Sequence, residues 1–171
     1  MKLALLILVF GATSFSDIEP EYNLEYFREK FHSSNSLNDL QEIINLQPVE
    51  SSETELQTIH AYKAVSETML AEHTFSVFSK LKYFNNGSRK LDSIIGQNPN
   101  VENRYLRLLV QLNVPRMLNY YEMIDEDIDF IDQHLNNEIT SRKFKNLFIE
   151  TLLKATSDQD LQIKISKIKI D

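Results

Sequence analysis

Residues 91–112 read LDSIIGQNPNVENRYLRLLVQL, and the division of this stretch decides the fold. Leu91, Ile94 and Ile95 recur at helical spacing, and Leu106, Leu109 and Val110 do so again further on. Between them stands Gly96-Gln97-Asn98-Pro99-Asn100. Gly96 adopts left-handed geometry at little cost and so suits a helix end. Pro99 cannot continue a helix, and the Asn100 side chain is a good cap for the next one. A continuous helix would leave one of the two apolar faces in water, whereas a fold-back buries both. The joint therefore predicts two helices packed antiparallel.

The same periodicity runs along almost the whole chain. With only three glycines in 171 residues there is little material for hairpin turns, so the fold class expected is all-α, with about seven or eight helices. A first helix is expected around 20–32, and Ser36 caps a second with Leu37, Leu40, Ile43, Ile44 and Leu46 inward. Ser52 with Glu55 forms a capping-box pattern for a long third helix reaching about His73. A fourth runs from about Phe78 to Gln97 with Leu81, Phe84, Ser88, Leu91, Ile94 and Ile95 inward. Gly87 within it costs about 0.8–1 kcal/mol against Ala, which marks close helix packing or a short break. Val101–Asn113 is the fifth helix, ended by Pro115. The sixth runs to Asn136 and the seventh starts at Thr140 or Ser141. Ser157 with Asp160 is a further capping-box pattern, ahead of the tail LQIKISKIKID. In that tail Leu161, Ile165 and Ile168 form a helical stripe while Ile163 and Ile165 alternate as in a strand; the cap favours helix.

The first residues, MKLALLILVFGATSFS, have the build of a secretory signal peptide. One positive charge at Lys2 precedes an apolar run from Leu3 to Phe10, and Ser14 and Ser16 take the minus-three and minus-one positions of a cleavage site before Asp17. Residues 17–171 are expected to form one helical domain, with a core over about 52–155 and a basic amphipathic tail over 157–171. The chain has no cysteine, which excludes a disulfide framework and a lipoprotein anchor. An exported, Cys-free and Trp-free chain fits a bacterial periplasmic or secreted protein. Its net charge of −7 argues against nucleic-acid binding. Residues 17–60 carry ten acids and two bases, residues 139–171 seven bases and four acids, so the two ends are expected to attract.

The stretch KYFNNGSRKLDSIIGQNPNVENRYLRL resembles half of a tetratricopeptide repeat through Tyr83, Leu91, Ile95, Pro99 and Asn100. Gly87 and Ser88 stand where that pattern has packing alanines, and no second copy follows at the family's period. The resemblance implies a right-handed array or bundle of helix pairs that binds other polypeptides. VENRYLRLLVQLNVP followed by DEDIDFI is similar to a group of exported bacterial all-helical proteins. That likeness implies a fold without an activity and draws the eye to Glu102, Arg104, Arg107, Gln111 and Asn113.

Candidate chemistry is sparse. Arg104, Arg107 and Gln111 form a polar stripe on an otherwise apolar helix. If that helix is central its arginines require carboxylates, and the acids at 125–132 are the nearest supply. The alternative use of the stripe is to clamp an anionic ligand, because guanidinium is a planar bidentate donor. The acidic run lacks the glycine and the twelfth-position Glu of a calcium loop. His32, His60, His73 and His134 show no metal-ligand spacing, and His134 with Glu138 suggests a surface pair. Neither a nucleophile elbow nor a phosphate-binding glycine loop occurs. Tyr120 and Tyr121, just after Pro115, suit an exposed groove edge.

The expectation is thus a non-catalytic interaction or scaffold module. No catalytic residue, metal or cofactor is implied, and the partner is another polypeptide. Its wall would come from the third and fifth helices, with Arg104, Arg107, Gln111, Tyr120 and Tyr121 as contacts. Two other readings are a small anionic-ligand binder or cryptic hydrolase on the Arg104/Arg107 stripe, and a membrane-surface role for Lys164, Lys167 and Lys169 without stable insertion.

Overall fold

Asn23, Ser36, Ser52, Ser76 and Asn100 each accept a hydrogen bond from the backbone amide three residues on, and each starts a helix. Such side chains replace the partners that the first amides of a helix lack. A computed structural model describes residues 22–49 and 51–171. Among them the helices are α1 (Leu24–Ser33), α2 (Leu37–Asn45), α3 (Glu53–Met69), α4 (Val77–Gln97), α5 (Val101–Asn113), α6 (Ile124–Glu138), α7 (Arg142–Ala155) and α8 (Gln159–Ser166). Short 3-10 turns cover Leu70–His73 and Arg116–Leu118. The fold is all-α, as the periodicity requires. The expected signal peptide lies outside the described residues. Among these, no helix is long and apolar enough to cross a membrane.

Several expectations are corrected. Gly96 does not end α4 in left-handed geometry: it lies inside the helix, which runs on to Gln97, and no described glycine has a positive φ. Asn98 and Pro99 stop the helix instead. In the tail Asp158, not Ser157, caps the helix, through the amides of Asp160 and Leu161. Helix holds to Ser166, and the last residues leave it with Ile168 still buried. Leu37 and Leu81, expected inward, are exposed.

The joint at 97–100 turns the chain back as expected. Asp92 lies 3.8 Å from Arg107 across it, so α4 and α5 run antiparallel. The Asn98 carbonyl accepts from Asn103 (2.8 Å), and the Asn98 amide reaches the Thr54 carbonyl of α3 (3.3 Å). The α3–α4 pair is also antiparallel, since Glu67 meets Lys90 while Thr54 meets Asn98. Its closest approach is at Gly87, against Ala64 and Thr68.

Tyr105, Leu106 and Leu108 are fully buried, because α5 is packed among α3, α4, α6 and α7. The stack of Tyr105 on Phe148, with centroids 4.1 Å apart, ties α5 to α7. Among the described residues the expected attraction between the chain's ends is seen in one pair, Lys143 with Glu29 at 2.6 Å. The tail instead lies beside α6, where Lys164 meets Asp125 at 2.5 Å and Asn136 donates to the Lys169 carbonyl at 3.0 Å.

Candidate functional site

A helix apolar around most of its circumference goes to the centre of a bundle and takes its few polar groups with it. On α5 these gather in two clusters. In the first, Arg107 donates to Asp127 through Nε (2.8 Å) and Nη2 (2.6 Å), a two-pronged pair in which Asp127 is fully buried. Arg104 donates to Glu126 (2.6 Å) and to Asp127 (3.1 Å), and its guanidinium lies 4.4 Å from the centre of the Phe130 ring. Asp127 is thus shared by both arginines, which supplies the carboxylates that buried guanidinium groups need. Burial works against the Arg107 charge, but the bonds and field of Asp127 outweigh it and hold the group more firmly protonated than usual. Tyr120 donates to Asp92 (2.8 Å) and meets Phe84 edge-on, which removes it from the exposed groove edge expected of it. Burial, then Asp92, pushes the Tyr120 phenol far above its ordinary value.

Arg104, Arg107 and Tyr120 therefore belong to one closed network. Gln111 and Tyr121 stand apart from it and line a small cavity of about 220 Å³ beside Arg116 and Leu161. Of the two tyrosines only Tyr121 is exposed.

The second cluster surrounds Glu102, which is almost entirely buried. It accepts from both sides of the Arg28 guanidinium (2.6 Å at Nε) and from the Tyr62 hydroxyl (2.6 Å). Burial, with Glu102 beside it, holds the Tyr62 phenol well above its ordinary value. His32 stands one turn along α1 from Arg28. Its Nδ1 lies 2.7 Å from the Arg28 carbonyl and its Nε2 2.8 Å from the Tyr105 hydroxyl. A carbonyl only accepts, so Nδ1 carries the hydrogen and Nε2 of the neutral ring accepts from Tyr105. Sequence reasoning singled out Glu102 but missed Arg28 and His32, because pairing across 74 residues leaves no local trace.

His134 and Glu138 do not form the expected pair. His134 packs on Phe130, with ring centroids 4.3 Å apart, and Glu138 accepts from the amide of Val101 (2.7 Å). A carboxylate there satisfies a free amide and meets the positive end of the α5 dipole. Among the described residues no group of acids and histidines has the arrangement of a metal site.

A larger concavity among the described residues lies elsewhere. A groove of about 710 Å³ runs along α3, with Ile44 of α2 on one side and Arg89, Ser93, Ile94 and Gln97 of α4 on the other. Gln57, His60, Lys63 and Ala64 form its floor. The Lys63 ammonium is held by the Leu46 carbonyl, and burial lowers its pKa. Lys90 pairs with Glu67 at 2.5 Å. Arg89 uses only Nε internally, on the Asn85 carbonyl at 2.9 Å, and its terminal nitrogens have no partner among the described residues. Between the third and fifth helices lie two smaller cavities, one of about 340 Å³ lined by Phe31, His32, Val65 and Val110 and one of about 320 Å³ lined by Arg28, Thr58, Asn100 and Glu102. Neither Arg104 nor Arg107 reaches them, because their face of α5 is turned to α6.

No family model, curated protein or solved structure matches this chain.

Proposed function

We propose that the protein is a non-catalytic binding module whose α3 groove holds a segment of another polypeptide. One observation carries this reading: the groove is long, open and mixed in character. Ile44 and Ile94 offer apolar contact beside the hydrogen-bonding side chains of Gln57, His60, Ser93 and Gln97. Main-chain amides and alternating side chains of a peptide meet both needs. Arg89 adds a guanidinium with free donors, which favours a segment carrying a carboxylate. The partial tetratricopeptide resemblance supports the reading by analogy, since helical arrays bind along concave faces.

A small anionic ligand held by Arg104 and Arg107 is the weaker reading. Both guanidinium groups already hold carboxylates, and a ligand would have to displace Asp127 from a buried pair. Catalysis by the His32–Tyr105 or Tyr62–Glu102 pairs is disfavoured in the same way, because each polar atom is occupied by another within the fold.

The test is a photo-crosslinking residue placed at Ser93 in the groove and, as a control, at Asp132 on α6, in the cell that makes the protein. A polypeptide adduct at Ser93 that is absent at Asp132 and weakened by Arg89→Glu supports the proposal. Identical adducts at both positions, or none, remove it. Thermal stabilisation by a small acid or phosphate would turn the argument to the ligand reading.

A further inference from the structure

Along α4 the stripe Phe84, Ser88, Leu91 and Ile95 is buried against the bundle. Leu81 and Val77 continue that stripe at helical spacing, yet they are 39% and 68% exposed. Phe78, beside them, is 87% exposed, and Phe75 in the preceding turn is 103% exposed. Four large apolar side chains within seven residues make a patch of the kind that soluble chains rarely leave open without a use. None of the cavities described is lined by any of the four. The four side chains thus stand exposed at the surface rather than lining any of these cavities.

Its charge is opposite in sign to the net charge of the chain. From His73 to Leu91 the chain carries Lys80, Lys82, Arg89 and Lys90 and not one carboxylate, in a protein of net charge −7. Lys80 and Lys82 flank Leu81, are exposed, and form no ion pair among the described residues. Exposed aromatic side chains followed closely by exposed lysines match the boundary of a bilayer, where rings enter the acyl region and ammonium groups stay at the headgroups. We propose that residues 75–82 form a docking surface for a bilayer that contains anionic lipid. The contact is peripheral and is separate from the α3 groove, so it stands whether or not that groove binds a polypeptide.

The chain has no tryptophan, so Phe75→Trp introduces a single fluorescent reporter. Its emission shifts to the blue with vesicles of equimolar phosphatidylcholine and phosphatidylglycerol and not with phosphatidylcholine alone, while a Met117→Trp control shifts with neither. In co-sedimentation, Lys80→Ala/Lys82→Ala lowers partitioning into the anionic vesicles about 30-fold. Phe75→Ser/Phe78→Ser lowers it about tenfold or more. All four positions are exposed, and unchanged circular dichroism verifies that the variants fold. Failure of the full chain to sediment with anionic vesicles overturns the proposal. So does sedimentation indifferent to both double variants, which would move the contact to the Lys167 and Lys169 tail. Self-association abolished by Phe75→Ser/Phe78→Ser without any lipid binding also overturns it, and makes the patch an interface between copies.

Discussion

Gly87 of α4 faces the carbonyl of Ala64 on α3 so closely that a β-carbon at position 87 would stand 2.5 Å from the Ala64 oxygen. The Thr68 amide nitrogen would be 2.8 Å away, so backbone as well as side chain opposes an addition. Gly96, nine residues later in the same helix, has nothing within 4 Å of such an atom. One substitution should thus have opposite signs at the two sites. Gly87→Ala is expected to destabilise by about 1–3 kcal/mol through overpacking, despite the better helix propensity of alanine. Gly96→Ala is expected to stabilise by about 0.8–1 kcal/mol. Chemical denaturation of both variants tests the pair, and equal signs would refute the packing argument.

The buried Arg107–Asp127 pair makes a second prediction. Asp127→Ala leaves Arg107, and in part Arg104, without a counter-charge in the interior, at a cost of about 3–5 kcal/mol. Removing both partners in Arg107→Leu/Asp127→Leu should recover part of that loss, because no buried charge remains at 107. A double variant less stable than Asp127→Ala would show that the pair contributes net stability.

His32 gives a dependence on pH. Burial lowers its pKa, and this outweighs the favourable effect of the Arg28 carbonyl and of Glu102. The unfolded chain therefore binds a proton at position 32 more readily than the native one. Stability is fully present above the unfolded histidine value of about 6.5 and is lost as pH falls from there through the depressed native value. Urea midpoints at pH 7.5 and 5 should differ in that direction, and His32→Gln should narrow the difference. An unchanged difference in the variant would assign the effect to other groups.

Asn100 pins the joint twice, accepting from the Asn103 amide (2.8 Å) and donating to the Thr58 hydroxyl (3.0 Å). Asn100→Ala should cost about 1 kcal/mol. Asn100→Asp, which keeps the cap oxygen and loses the donor to Thr58, should cost less. Thermal melts in which the two variants are equally destabilised would contradict this.

The helical rhythm was legible because hydrophobic spacing and capping are local. Ser36, Ser52 and Asn100 cap where the neighbouring residues say they should, and Val101–Asn113 is a helix at the bounds the joint and Pro115 imply. Gly96 was misread because glycine permits left-handed geometry without requiring it, and the asparagine and proline after it suffice to stop the helix. The arginine stripe pointed correctly to a buried helix served by the acids at 125–132. The α3 groove was not legible, since its floor looks in sequence like an ordinary polar helix face.

By itself, then, the order of residues determined the class of fold, the limits of α5 and its centrality, all of which follow from contacts within a few turns. Tertiary structure alone decided that Glu102 meets Arg28 and Tyr62, that Asp127 is shared by two arginines, and that Phe78 near the start of α4 is left exposed. Those outcomes depend on which faces meet, and they are fixed by the packing of the whole chain.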